Sequence, residues 1–213
     1  MKEKHQIYLA SYPRSGNTLF RLVLKECFNL ETDTIYKNEG DLQNSVGLGL
    51  TNASYFVKTH EPEEDRSKTI YLVRNPIDAI VSYAHYYKRE KSLDTNIRTL
   101  ILKLVIQGKG NPFTGWGNHV SHWTNDPPKD LLVIKFEDLK SSPIEVVNSA
   151  LKFHNLHNSI PSNAFPPFSY WHDKYPEFFR QGTGGYQNEF PLIARFILKF
   201  RWAKQIRDMG YKV

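Results

Sequence analysis

Ile7-Tyr8-Leu9-Ala10-Ser11 runs straight into Tyr12-Pro13-Arg14-Ser15-Gly16-Asn17-Thr18, and that loop leads into Leu19-Phe20-Arg21-Leu22-Val23-Leu24-Lys25. The pattern is strand, tight loop, helix, the opening unit of a parallel α/β sheet. The loop sets a cation, two hydroxyls and a glycine where a helix N-terminus begins. Unpaired first-turn amides and the positive end of the helix dipole make such a place an anion site. Gly16 allows close backbone approach. Arg14 offers a planar fork of donors, and Ser15 and Thr18 offer hydroxyls. The competing reading is an ordinary helix cap, where Ser and Thr serve structure alone. The loop matches neither G-x-x-x-x-G-K-[ST] nor G-x-G-x-x-G, which speaks against an ATP-driven P-loop enzyme.

The rest of the chain keeps the alternation. Residues 30–53 are polar, carry Gly40, Gly47 and Gly49, and read as a mobile excursion. Ser54 to Lys58 predicts a short strand ending at Thr59-His60-Glu61-Pro62. Thr69 to Val73 is a near-continuous apolar run, the mark of a buried parallel strand. Arg74-Asn75-Pro76 closes it and opens a helix to about Lys91, with Asn75 as N-cap, Pro76 at N1 and Asp78 in the first turn. Ile97, Leu100, Ile101, Leu104 and Val105 recur at helical spacing and read as core. Gly115 to Thr124 predicts another helix. Leu131 to Lys135 predicts a third buried strand, ending at Phe136-Glu137-Asp138-Leu139. Pro143 opens a helix to about His154. Residues 158–190 read as ordered loop, and a basic amphipathic helix spans about 190–208. The expectation is a single α/β domain over 1–213: three layers, P-loop-like, with a central parallel β-sheet flanked by helices.

The net charge of +6 falls on Arg and Lys scattered singly beside turns and helix starts, without a dense basic run. A small polyanionic ligand suits that distribution better than nucleic acid. A single cysteine, Cys27, excludes a disulfide framework and a multi-cysteine metal site. It reads as a small buried hydrophobe. The polar N-terminus lacks a signal-peptide core, and no apolar run approaches the ~20 residues that span a bilayer. The expectation is a cytoplasmic protein, with a place at a membrane surface left open.

In parallel sheets ligands bind beyond the carboxyl ends of the strands. Three motifs fall there: the loop at 12–18, Lys58-Thr59-His60 and Arg74-Asn75-Pro76. On these residues the chain resembles the sulfotransferases that use 3′-phosphoadenosine-5′-phosphosulfate (PAPS), nearest to the cytosolic type and its bacterial relatives. Tyr12 to Thr18 looks like the family's 5′-phosphosulfate loop. Lys58-Thr59-His60 looks like its K-T-H. Tyr71 to Pro76, continued through Val81-Ser82-Tyr83, looks like its 3′-phosphate motif. Gly115 to Val120 with Trp123, Phe136 to Leu139, and Phe179-Arg180-Gln181-Gly182 with Gly185 follow the family's later motifs in order.

The resemblance implies roles. Arg14, Ser15, Gly16, Asn17 and Thr18 would cradle the 5′-phosphosulfate. Arg14, in place of the usual lysine, would neutralise the leaving oxygen. His60 would be the general base, with Glu61 the rival, and Lys58 would steady the sulfuryl oxygens. Arg74, Ser82, Arg180 and Gly182 would bind the 3′-phosphate, with Gln181 where the family has lysine. His119 and Trp116 would either face the acceptor or pack. Leu19 stands where many members stack a Trp on adenine, Phe136 where a Tyr often touches it, and Tyr186 where a Trp is common. The implied reaction moves a sulfuryl group to a hydroxyl, with an amine as the weaker option, and yields 3′-phosphoadenosine 5′-phosphate (PAP) without a metal. The acceptor would be a small molecule, a glycan or a lipid-linked compound, with no nucleic acid and no membrane span. The family's dimer motif is absent, so the oligomeric state stays open. The alternatives are a nucleotide or small-molecule kinase with a related loop, and a non-catalytic nucleotide-binding module.

Overall fold

A computed structural model describes residues 6–36, 55–61, 68–107, 115–156, 161, 163–176, 179 and 186–213. Five strands form one all-parallel sheet: β1 (Ile7–Ser11), β2 (Thr32–Thr34), β3 (Phe56–Thr59), β4 (Lys68–Val73) and β5 (Asp130–Lys135). Their order across the sheet is β2-β3-β1-β4-β5. The chain thus builds outward from β1 on one side through β3 and β2, and on the other through β4 and β5. That reversal beside β1 is the topological switch point, where an open parallel sheet leaves a crevice beyond its strand ends. Leu9 lies opposite Lys58 and Ala10 opposite Thr59, while Ser11 lies opposite Leu72 on the other flank. This register brings Ser11, His60 and Arg74 to one rim.

Helices cover both faces. One layer holds α1 (Asn17–Phe28), α5 (Phe136–Ser141), α6 (Pro143–Phe153) and α7 (Phe168–Lys174). The other holds α2 (Pro76–Glu90), α3 (Ile97–Gln107), α4 (Trp116–Thr124) and α8 (Leu192–Asp208). The two-residue period of the strands divides the core accordingly. Leu9, Ile70 and Leu72 pack against α1 and its neighbours. Ala10, Tyr71 and Val73 pack against the opposite layer. Each fully buried leucine of this kind contributes about 1.5–3 kcal/mol of transfer free energy. Cys27 is buried in the first cluster, as its helical position predicts.

The helix signals act locally as read. Asn75 Oδ1 accepts from the Ile77 amide at 3.0 Å and Pro76 opens α2, which carries Asp78 in its first turn. Gly117 on α4 lies under the Trp202 ring, close enough that an added Cβ would sit 2.1 Å from the ring. The backbone of α8 departs from helical geometry at that same Trp202.

The structure corrects three readings and adds one short helix. Thr32–Thr34 is a strand within the stretch read as an excursion, because pairing with Phe56 to Lys58 supplies what so short and polar a run lacks. β5 is an edge strand, with only Ile134 buried and Val133 exposed, so its apolar run is half-covered. Phe136-Glu137-Asp138-Leu139 starts a short helix. Phe168–Lys174 is helical inside the stretch read as loop, anchored by buried Trp171.

Candidate active site

The loop after β1 turns on a hydrogen bond from the Ser15 amide to the Tyr12 carbonyl, 3.2 Å. Two residues take positive φ: Arg14 at 67° and Gly16 at 105°. For arginine this conformation costs roughly 1 kcal/mol or more. For Gly16 a side chain is excluded twice over, since a Cβ would also lie 2.7 Å from Phe136 Cδ2. The glycine therefore serves tight packing of the loop on α5 as well as any ligand.

Gly16 caps α1 without a side-chain hydrogen bond, and the first turn holds no acidic residue. The first intrahelical bond is Phe20 N–H to Gly16 O, 3.0 Å. The amides before it have no intrahelical partner and face the positive end of the dipole. The Ser15 hydroxyl is fully buried and meets no partner among the described residues. Such a group costs about 1–3 kcal/mol unless something bonds it. Thr18 is also buried. The side chain of Asn17 is committed elsewhere: its Nδ2 donates to Leu9 O at 2.7 Å and to Ser11 Oγ at 3.3 Å. Nδ2 is thus a strut between α1 and β1, and Oδ1, buried without a partner among the described residues, can only accept, so toward an anion Asn17 offers its backbone amide.

Arg14 reaches α2, where its Nε donates to Ser82 Oγ at 3.3 Å, and its guanidinium lies 5.5 Å from the Tyr86 ring centroid. Arg74 Nη1 donates to the Arg14 carbonyl at 3.0 Å. The Arg74 guanidinium lies between Phe136, 4.4 Å, and Tyr186, 5.8 Å. Burial and then the nearby Arg74 charge bring Arg14 down to about 10. Arg74 is lowered too, by burial, against the opposing pull of Asp78, Tyr186 and Glu137. A half-buried Arg14 held beside the buried cation of Arg74 is a place that an anion relieves. Beside them a cleft of about 390 Å³ is lined by Arg14, Ser82, His85, Tyr86, Lys88 and Arg89 among others.

Across the rim, His60 Nδ1–H donates to the Ser11 carbonyl at 2.6 Å. That bond fixes the tautomer and leaves Nε2 as the basic nitrogen. The His60 amide donates to the Tyr36 hydroxyl at 2.8 Å. Burial, and then the Lys58 charge, hold His60 well below the usual imidazole range, with the Ser11 bond pulling the other way. It is neutral at physiological pH. Lys58 is buried two residues earlier, its ammonium 5.5 Å from the Tyr36 ring centroid. Glu61 closes a small turn through its backbone, its amide donating to Thr59 Oγ1 at 2.9 Å.

His119 is buried, and both ring nitrogens are occupied. Nε2–H donates to the His60 carbonyl at 3.0 Å, so Nδ1 accepts from the Tyr71 hydroxyl at 2.9 Å. Burial lowers it to about 3. Trp116 Nε1–H donates to the Arg74 carbonyl at 3.0 Å. Of the two roles weighed for them, both side chains take packing and positioning. Leu19 is buried in the core beside α1's other apolar residues.

Arg14 through Thr18, Lys58, His60, Arg74 and Ser82 thus meet at the ends of β1, β3 and β4. Arg180 and Gly182, with Gln181 and Gly185, lie outside the described residues. The sequence reading missed several members. Ser11 and Tyr36 hold His60, and Glu137 joins the Asn75 amide, 3.1 Å, to the Tyr211 hydroxyl, 2.9 Å. Arg89 joins the cleft as well. Its spacing of seven from Ser82 on α2 was the available signal, since both then share a helix face.

A profile of the sulfotransferase domain matches residues 4–167. Mouse sulfotransferase 1 family member D1 is 28% identical over 180 residues, covering 73% of this chain and 60% of that protein. Flavonol 3-sulfotransferase of Flaveria bidentis is 27% identical over 176 residues, covering 70% of this chain and 56% of that protein. The chain therefore matches under two thirds of the length of these curated relatives. A crystal structure of mouse sulfotransferase SULT7A1 complexed with PAP has the same fold, with a TM-score of 0.69 at 21% identity over 98% of this chain and 87% of that one.

Proposed function

This chain belongs to the sulfotransferase domain family, and we propose that it moves a sulfuryl group from PAPS to a hydroxyl acceptor, working as a single domain over residues 1–213. One observation carries the reading. A neutral imidazole with a fixed tautomer, a buried lysine, two crowded arginines and an uncapped helix N-terminus meet at one sheet switch point. Relatives named as sulfotransferases and a neighbour bound to PAP support the same chemistry.

In this mechanism His60 Nε2 takes the acceptor's proton as its oxygen attacks sulfur in line. The bond from sulfur to the bridging phosphate oxygen breaks, and the electron pair stays on that oxygen. PAP and a sulfate ester leave. Charge grows on the leaving oxygen in a loose transition state, as in phosphoryl transfer, so positioned cations matter most. The α1 amides with Ser15 and Thr18 hold the 5′ end. Lys58 steadies the sulfuryl oxygens beside His60. Arg74 and Ser82 hold the 3′-phosphate, together with Arg180 and Gly182. Arg14 touches Ser82 and stems from the 5′ loop, so its charge serves both ends. Acceptors of small-molecule, glycan or lipid-linked type fit the reading.

The test is transfer of labelled sulfate from PAPS to a panel of alcohols, phenols and glycans. Acceptor-dependent product that disappears in His60→Ala is expected. PAP binding with no transfer to any acceptor would favour a non-catalytic module.

A further inference from the structure

Helix α8 buries Ala194, Leu198, Trp202 and Ile206 against the core. Its opposite side is apolar too. Leu192 is 84% exposed, Ile193 60%, Phe196 72% and Phe200 83%. At about 3.6 residues per turn these four fall on one stripe. Ile106 of α3 is also exposed and adjoins α8, since Arg201 of α8 donates to the Val105 and Ile106 carbonyls at 2.8 and 2.7 Å. Scattered exposed apolar residues are ordinary, but a contiguous patch with two phenylalanines calls for a partner.

The charge around the stripe selects that partner. Between Leu192 and Asp208 the helix carries Arg195, Lys199, Arg201, Lys204 and Arg207 against a single acid, Asp208. Asp208 is itself paired with Lys204 at 2.6 Å. On the helical wheel the exposed Lys199 falls on a flank of the stripe, while Lys204 follows beyond the departure from helical geometry at Trp202. A second copy docked through this face would press two basic helices together. A surface with anionic groups over an apolar interior meets both features at once. Large apolar side chains enter the acyl boundary while lysines beside them reach the headgroups. Among the described residues no helix is long and apolar enough to cross a membrane, so the contact would be peripheral.

We propose that the exposed face of α8 docks the protein on an anionic lipid surface. Phe196 and Phe200 insert, and Lys199 contacts acidic headgroups. The inference stands on α8 alone and does not depend on the reaction assigned to the site.

Flotation of the full chain with vesicles of phosphatidylcholine alone, and of phosphatidylcholine mixed with phosphatidylserine, tests it. The protein is expected to rise with the mixed vesicles only, and to be released by high salt. Phe196→Ser with Phe200→Ser should weaken that association more than about tenfold. Lys199→Gln should weaken it about fivefold, the factor one cation contributes near such a leaflet. Both variants alter exposed side chains, so an unchanged circular dichroism spectrum and thermal midpoint would mark them as folded. No association of the unaltered chain with mixed vesicles would overturn the proposal. So would association that the serine variants retain, or self-association that they abolish without any vesicle binding.

Discussion

The Nδ1 atom of His60 lies 2.6 Å from the carbonyl oxygen of Ser11, across the seam between β3 and β1. The contact is short because adjacent parallel strands end together: Ala10 is paired with Thr59, so the next residue of each strand faces the other. It holds the imidazole in one tautomer, with the proton on Nδ1 and a lone pair on Nε2. His119 grips the same residue from the other side, through the His60 carbonyl at 3.0 Å.

His60→Ala should lower turnover by about 10²–10⁴-fold, the range for a lost general base. PAP affinity should stay within about threefold, since the histidine makes no phosphate contact in this account. In the unaltered enzyme kcat/KM should be level through neutrality. It should fall only as pH drops toward the lowered value of His60, where the imidazole gains its proton. Equal loss of PAP affinity, or a fall already at neutral pH, would move the base elsewhere.

Arg74→Ala should weaken PAP by about 10- to 150-fold, the loss of a charge-assisted pair of about 1.5–3 kcal/mol. Adenosine 5′-phosphate should weaken by less than about threefold, because it lacks the 3′-phosphate. Competition titration of both nucleotides checks this. Equal losses would show that Arg74 acts only by holding the Arg14 carbonyl.

Gly16→Ala should cost about 1–3 kcal/mol of stability, since φ of 105° disfavours any side chain and Phe136 fills the space. Chemical denaturation reads it directly. An unchanged midpoint would mean that the loop adjusts freely.

His119 is buried and His60 half-buried, both neutral, and both are lowered from 6.5, His119 to about 3. As pH falls below 6.5 the unfolded chain takes up these protons first, so stability is full above that value and declines below it. The slope should approach about 1.4 kcal/mol per pH unit for each histidine between roughly pH 6 and pH 5, before carboxylates titrate. A denaturation midpoint that stays level across that window would contradict the neutral assignment of the two histidines.

What was legible in the sequence was local chemistry. Asn75 caps α2 because its own side chain reaches the Ile77 amide two residues on. The loop at 12–18 follows from a strand, a glycine and a helix in succession. What was illegible depends on residues far apart. Thr32-Asp33-Thr34 becomes a strand only because β3 lies beside it. The apolar run of β5 is half-exposed because nothing among the described strands pairs its outer edge. Arg14 and Ser82, read as servants of different phosphates, are 68 positions apart yet touch. His119 could have faced an acceptor by motif alone, and only Tyr71, 48 positions away, occupies its second nitrogen.

The most direct test of the central claim is calorimetric titration with PAP, alongside ATP with magnesium and adenosine 5′-phosphate. The account predicts selective binding of PAP, with both controls weaker by at least about tenfold, since each lacks the 3′-phosphate that Arg74 and Ser82 are assigned. Absence of PAP binding, or preference for ATP with magnesium, would contradict the donor assignment and bring phosphoryl transfer forward in its place.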